Sequence, residues 1–385
     1  MPMQLCVSLQ GWTEQFGPEG SGRRSTVVTI GNFDGLHLGH QKIINRLIER
    51  ARALGAIATV VSFEPHPLKV LRPNAAPPLI GPLEHRLVGL DQMGLDAALV
   101  LPFDLELSRL SAEDFVRQIL VEKLRARAVL VGGNFRFGHQ QAGDVKLLIE
   151  LGAKLGFDVE VIAPVVMRGE IVSSTCIRDA VRAGLTTRAA RRLGHPFCLT
   201  GAVQPGTGTG KRLVVPTLNL APDQELLPKM GVYATETWIA LSPGEGTAIG
   251  LPRHPPDRPS RVYRSVTNIG VRPTFQGTCV SGIPNGPAGR VSGVPVAQPL
   301  LAAPDSSAGK LSVESHLLDF SAELHTGWLA IEFWVRLRDE MKFPGPDELR
   351  AQIDRDIASA RKFFRRLDRA RNSMRTRPHH PPDPF

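Results

Sequence analysis

Between residues 25 and 185 the chain alternates apolar, β-branched runs with amphipathic stretches, and this alternation limits its folding options most. STVVTIG (25–31), AIATVVSF (56–63), DAALVLPF (96–103), RAVLVGG (127–133) and FDVEVIAP (157–164) read as strands. They are too uniformly apolar to keep one face in water, which predicts a parallel sheet covered on both sides. The segments 40–54, 84–93, 111–124 and 145–156 place apolar residues at helical spacing, with Ser111 suited to cap the third. Strand–helix repetition of this kind defines an α/β domain over residues 25–186, and ligands of open parallel sheets bind beyond the carboxyl ends of the strands.

The pattern changes after about residue 186. Gly, Pro and Thr become frequent, and FCLTGAV, GVYATETWIAL, RVYRSVTNIG, LSVESHLLDF and LAIEFWVRL follow one another without helical spacers. These runs predict antiparallel strands of a sandwich or small barrel, spanning residues 187–367 and closed by a helix over 346–367 that opens with Pro346, Asp347 and Glu348. Residues 1–24 are expected to form an N-terminal extension. Two Gly/Pro-rich segments, 243–260 and 276–310, read as loop insertions, and 368–385 as a basic, disordered tail.

Composition excludes several classes. No run approaches the roughly 20 apolar residues that cross a bilayer, and the first residues lack a basic stretch followed by an apolar core, so neither a membrane protein nor a secretory leader is expected. Four scattered cysteines (Cys6, Cys176, Cys198, Cys279) suit a reducing compartment, and the cytoplasm is the expected location. A net charge of +9 invites a nucleic-acid reading, but +6 of it lies in residues 350–385. The remainder suits sites for anionic small molecules, and no nucleic-acid partner is expected.

Four motifs carry chemistry. GNFDGLHLGHQ (31–41) lies where the first strand gives way to the first helix; Gly31, Gly35 and Gly39 permit close approach of a ligand. His37 and His40 share a face at the helix N-terminus, where free N–H groups and the dipole already attract anions, so the pair suits a polyphosphate. SFEPHP (62–67) follows the second strand and sets Glu64 and His66 around a rigid turn. VGGNFRFGHQQAGD (131–144) follows the fourth strand; Asn134 can both donate and accept, and Phe135 and Phe137 can pack on a planar ring. In VSSTCIRDAV (172–181), Ser173, Ser174 or Thr175 can cap the next helix, while hydroxyls with Arg178 at a helix start also bind phosphate.

In the second half, Thr217 and Asn219 of VPTLNL alternate with apolar neighbours and so share a face; a hydroxyl and an amide oxygen suit a hard cation such as magnesium. Glu314 interrupts an apolar strand and reads equally as a general base for a primary hydroxyl or as a solvated outer-face residue.

The H-x-G-H turn and S-S-T-x-I-R resemble the nucleotidyltransferase superfamily. Together with F-E-P-H-P and G-G-N-F-R-F-G, they are similar to the adenylyltransferase half of bacterial bifunctional riboflavin kinase/FAD synthetases. VPTLNL, GVYA (231–234), TNIGVRPTF (267–275), VESHLLDF (313–320) and LRDEMKFPGPDELRAQIDRDI (337–357) follow in that family's order, so the resemblance covers about residues 25–360. It implies a Rossmann-like nucleotidyltransferase domain followed by a small antiparallel barrel with kinase activity. It implies riboflavin, FMN and ATP as substrates, FAD as product and Mg2+ as cofactor. It assigns His37, His40, Asn134, Ser174, Thr175 and Arg178 to ATP, with Gly31, Phe33 and Gly35 of the first turn beside them. His37, His40 and Arg178 are expected to stabilise charge during transfer, and Phe63 and Phe135 to face the flavin. In the barrel, Glu314 is the expected kinase base, and Thr217 and Asn219 the ligands of magnesium and nucleotide.

The chain departs from the family pattern at several points. Val214 and Leu218 replace a glycine and an alanine, Lys211 or Arg212 stands for an arginine, His325 holds a tyrosine position and Gln141 a frequent arginine. A chain that had lost its kinase reaction would make FAD from FMN but not from riboflavin. A protein acting instead through its basic tail would bind nucleic acid with a steep salt dependence.

Overall fold

The computed structural model describes residues 2–17, 25–204, 217–240, 262–271, 311–320 and 327–375. The insertions expected at 243–260 and 276–310 lie outside the described residues, as do Lys211, Arg212, Val214 and His325.

The first half is a six-stranded parallel sheet. In chain order it contains β1 (Gln4–Cys6), α1 (Leu9–Phe16), β2 (Thr26–Ile30), α2 (Leu38–Leu54), β3 (Ile57–Glu64), α3 (Pro67–Leu71), α4 (Leu83–Gln92) and β4 (Ala97–Pro102). There follow α5 (Ala112–Asp114), β5 (Ala126–Gly132), α6 (Val145–Leu155), β6 (Asp158–Ile162), the hairpin of β7 (Val166–Met167) and β8 (Glu170–Ile171), α7 (Ser174–Arg182) and α8 (Thr186–Leu193). Strand order is β1-β4-β3-β2-β5-β6. The strands are apolar on both faces because both are covered. Val28, Ile30, Val61, Leu99 and Val129 join one core, and Val27, Val60, Ala98, Val100 and Leu130 join the other, as the period of two requires. From β2 the chain runs outward to β3 and β4, then returns to the other side of β2 for β5 and β6. The crevice at the carboxyl ends of β2 and β5 is therefore the topological switch point.

Two expectations need correction here. Residues 1–24 do not merely precede the domain: β1 pairs with β4 at the sheet edge and α1 buries Trp12 in the core. Three residues of strand are too short to show a period. The helix expected over 111–124 starts as α5, capped by Ser111, but continues over Phe115–Lys123 as a π-helix that turns Phe115, Val116, Ile119 and Leu120 inward.

The second half is a closed antiparallel barrel of β9 (Phe197–Gln204), β10 (Leu218–Pro222), β11 (Gly231–Ala240), β12 (Val262–Val271), β13 (Leu311–Leu317) and β14 (Trp328–Arg338), in the order β10-β13-β12-β11-β14-β9. Its interior carries Leu199, Leu220, Tyr233, Ile269, Val313, Leu329, Ile331 and Phe333, which are continuous with Ile80, Ile177, Val181 and Leu193 of the first half. Beside them, buried hydroxyls of Thr235, Thr237, Ser265, Thr267 and Ser315 satisfy one another across three strands.

The last helix, α9 (Pro346–Arg375), lays Ala360 and Phe364 on the outside of the barrel. It runs past the expected end at 367, because residues of the supposed tail have partners: Asp368 accepts from Arg264, and Arg371 lies over the Trp334 ring and beside Glu236. Residues 376–385 lie outside the described residues.

Candidate active sites

The first site forms where the loops after β2, β3 and β5 meet the start of α7. Beyond Ile30 the chain turns sharply, with Phe33, Gly35 and Leu36 all at positive φ, and enters α2 at His37. His37 is the N-cap: the His40 N–H donates to its Nδ1 at 3.3 Å, so the proton of the neutral ring sits on Nε2. The two imidazoles stack with centroids 3.6 Å apart. Glycine at 39 makes this possible, since a Cβ there would stand 3.1 Å from the His37 ring.

Both rings are neutral at pH 7. Burial lowers the His37 pKa to about 4, opposed by a backbone hydrogen bond and reinforced by the nearby Arg178 charge. Burial also holds His40 well below its ordinary value, with His37 and Arg86 adding to the effect. His40 Nδ1 is buried with no hydrogen-bond partner among the described residues. An anion entering here would meet hydrogen-bond donors and, through its own charge, favour protonation of the rings.

Two buried residues that the sequence did not single out hold this loop. Asp34 accepts from the Ile80 N–H at 2.9 Å and from Arg178 Nη2 at 2.7 Å. Arg178 also donates through Nε to the Pro78 carbonyl, and Ser174 Oγ donates to the Asp34 carbonyl at 3.1 Å. The expected phosphate ligands Arg178 and Ser174 thus reach the site, where Arg178 Nη2 and Ser174 Oγ join α7 to Asp34 of the first turn. Arg178 is buried, with Nη2 held by Asp34 and Nε by the Pro78 carbonyl. Ser173, not Ser174 or Thr175, is the N-cap of α7, and Thr175 is exposed.

Arg86, reaching in from α4, donates to the Asn32 carbonyl at 2.7 Å and to Glu64 at 2.9 Å, tying the first motif to the second. His66 caps α3 through Nδ1 and lies 3.0 Å from the Asn32 side-chain amide through Nε2. With Nδ1 accepting, Nε2 carries the proton, so the amide oxygen is the atom that must face it.

In the loop after β5, Asn134 is exposed, and Phe137 is pinned by paired backbone bonds to Gly143. Phe135 is half-buried and stacks on Phe137 with centroids 5.4 Å apart. Phe63 is likewise half-buried, edge-on to Phe103, and both Phe63 and Phe135 border the same core. Gly31 is fixed by its N–H donating to the Val61 carbonyl at 3.0 Å, and Phe33 is buried.

The second site lies on the outer face of the barrel. Register sets Asn219 of β10 opposite Glu314 of β13, and Glu314 opposite Asn268 of β12. Their neighbours Val313 and Ser315 point into the barrel, so Asn219, Glu314 and Asn268 form one row on the other face. Asn219 is buried, Glu314 and Asn268 are half-buried, and Thr217 is exposed at the mouth of β10. Asn268 is the member of the row that sequence reading passed over; its signal is its place in TNIG on the strand paired with that of Glu314.

The row offers hard oxygen donors of the kind that suit magnesium held partly by substrate phosphates. Among the described residues, no group of three or more His, Cys, Asp and Glu could by itself hold a metal ion.

Comparison with known proteins agrees with this division. Residues 21–176 match the family model for FAD synthetase, and residues 193–364 that for riboflavin kinase. The chain is 34% identical over 338 residues to the bifunctional riboflavin kinase/FMN adenylyltransferase of Pseudomonas fluorescens, covering 88% of this chain and 93% of that one. It is 32% identical to the protein of the same description from Escherichia coli K12, covering 88% and 92%. A crystal structure described as a macrolide-efflux protein from Streptococcus pneumoniae superposes with a TM-score of 0.70, covering 94% of this chain and 99% of that one. At 21% identity, that likeness shows the fold alone.

Proposed function

The chain belongs to the family of bifunctional riboflavin kinase/FMN adenylyltransferases, and from that premise we propose which residues carry each reaction. The protein is an enzyme of flavin cofactor synthesis. It phosphorylates riboflavin to FMN and adenylylates FMN to FAD, using ATP in both steps.

In the barrel, Glu314 accepts the proton of the terminal ribityl hydroxyl as that oxygen attacks the γ-phosphorus of ATP; ADP leaves and FMN remains. Thr217 and Asn219 would hold magnesium and the nucleotide phosphates, and the bound ion would supply charge neutralisation at those phosphates. Asn268, next in the row, orients the carboxylate or the hydroxyl it serves.

In the α/β domain, an oxygen of the FMN phosphate attacks the α-phosphorus of a second ATP. The bond to the bridging oxygen breaks, and pyrophosphate leaves. His37 and His40 donate hydrogen bonds to the phosphates as charge moves to the leaving group. Gly31, Phe33 and Gly35 line the approach, and Asn134 and Thr175 are free to contact ATP from the rim. Arg178 and Ser174 act by holding the first turn against α7, with the Arg178 charge lying behind the histidines. Phe63 and Phe135 border the flavin. No covalent enzyme intermediate is needed, because the chemistry is positioning and electrostatics.

The observation that carries the barrel assignment is the register setting Asn219 beside Glu314. No helix among the described residues is long and apolar enough to cross a membrane; the four scattered cysteines support our placing the enzyme in a reducing compartment, the cytoplasm. Purified protein with riboflavin, ATP and magnesium tests the proposal: chromatography is expected to show FMN and then FAD. Absence of both products would overturn it.

A further inference from the structure

A second concave site lies away from both reaction centres, between the β7–β8 hairpin, α8 and β14. It is a cavity of about 480 Å3 whose lining includes Arg168, Arg188, Arg191, Arg192 and Arg336 against the single carboxylate of Glu170. Arg188 and Arg192 share that carboxylate. Arg336 pairs with Asp339, which also holds Lys229, while Arg168 and Arg191 have no carboxylate partner among the described residues. Arg192 is buried, and its Nε has no hydrogen-bond partner among the described residues, whereas Arg336 also donates to the Met230 carbonyl. Gly184 lets the Arg336 guanidinium lie against the backbone, since a Cβ there would stand 2.7 Å from Cδ and 3.0 Å from Nε. Helix α8 begins in the same groove without a side-chain cap, the hydroxyls of Thr186 and Thr187 both being directed to the Trp334 carbonyl.

Four guanidinium groups, those of Arg168, Arg188, Arg191 and Arg192, line the groove with the one carboxylate of Glu170, while the fifth, Arg336, is paired with Asp339, so the groove carries an excess of positive charge that an entering anion would offset. Buried, unpartnered N–H groups are costly unless a ligand satisfies them. Guanidinium forks match phosphate oxygens, and the lining has no aromatic ring to stack on a base. We propose that this groove binds a phosphate-bearing anion, with the di- or triphosphate group as the part recognised. The groove takes Arg168 and α8 from the first half and Arg336 from the barrel, so its occupant would bind the two halves together.

The site is independent of the residue assignments above, and its test separates it from the catalytic centre. Inorganic pyrophosphate and, in a second arm, ATP are titrated calorimetrically into the full chain without divalent metal. The titrations are repeated with the exposed pair Arg168→Ala/Arg191→Ala and with His40→Ala. The expected result is binding that persists in His40→Ala, weakens about tenfold or more in the double arginine variant and falls with salt. Rates of FMN and FAD formation by the double variant should match those of the parent protein, which also shows that it is folded. The tighter of the two ligands then identifies whether an inorganic or a nucleotide phosphate is preferred. Binding of both ligands that is unchanged in the double variant, or lost in His40→Ala alone, would overturn the proposal.

Discussion

The two reaction centres are built on opposite plans. In the α/β domain the site sits past the strand ends, on loops that would wander if buried polar contacts did not pin them. Asp34 and Arg86 supply those contacts, joining segments 46, 144, 54 and 22 residues apart. In the barrel the site lies on the strands themselves, and the ladder register sets Asn219, Glu314 and Asn268 side by side. Loop sites need buried clamps, whereas a site on a sheet face inherits its spacing from the backbone. The first plan ties activity to local stability, and the second separates them.

The largest expected effect tests the barrel side. Glu314→Gln should slow FMN formation by about 10²–10⁴-fold while leaving FAD formation from supplied FMN intact. Removing a neighbour in the row should matter less: Asn268→Ala is expected to slow FMN formation by roughly 10–100-fold, the worth of a hydrogen bond to a charged group. Steady-state assays of each half-reaction decide both, and neither variant should shift the thermal midpoint as far as a broken clamp does. That contrast is supplied by Asp34→Asn, which leaves Arg178 buried without its carboxylate. Calorimetry should show a loss of about 3–5 kcal/mol, together with lost FAD formation and retained FMN formation.

The smallest and most graded effect is acid sensitivity. The histidines whose pKa is lowered, His37, His40, His66 and His85, all belong to the first half. Burial is the leading cause for each. For His37, the unfolded chain takes up a proton near pH 6.5, but the folded chain does so only at about 4. Folded-state stability should therefore be fully present above pH 6.5 and decline as the pH falls toward 4, flattening below. Calorimetric scans across that window should show the α/β domain melting ahead of the barrel.

Much of this was legible in the sequence. The five sheet strands from β2 to β6 appear within two residues of their expected limits because fully buried parallel strands are continuous apolar runs. The juxtaposition of His37 and His40 at the start of α2 was readable because residues three apart share a face of the helix N-terminus. Thr217, Asn219 and Glu314 emerged from a period of two together with the family pattern. What stayed hidden depends on distant partners. Asp34 looks like an ordinary turn residue until Ile80 and Arg178 arrive, and Arg86 looks like a surface arginine of an amphipathic helix. The alternation around Asn219 was read, but β10 was not set among the expected strands because five residues ending in a proline carry little pattern. The helical course of residues 368–375 was missed because their anchors, Arg264 and Trp334, come from other elements.

The central claim is that one chain holds two separate sites, with His40 serving only the second reaction. Its most direct test is His40→Ala given riboflavin, ATP and magnesium, with the flavins separated over time. FMN should accumulate at the parent rate while FAD falls by about 10²–10³-fold. Equal loss of FMN and FAD would contradict the separation of the sites.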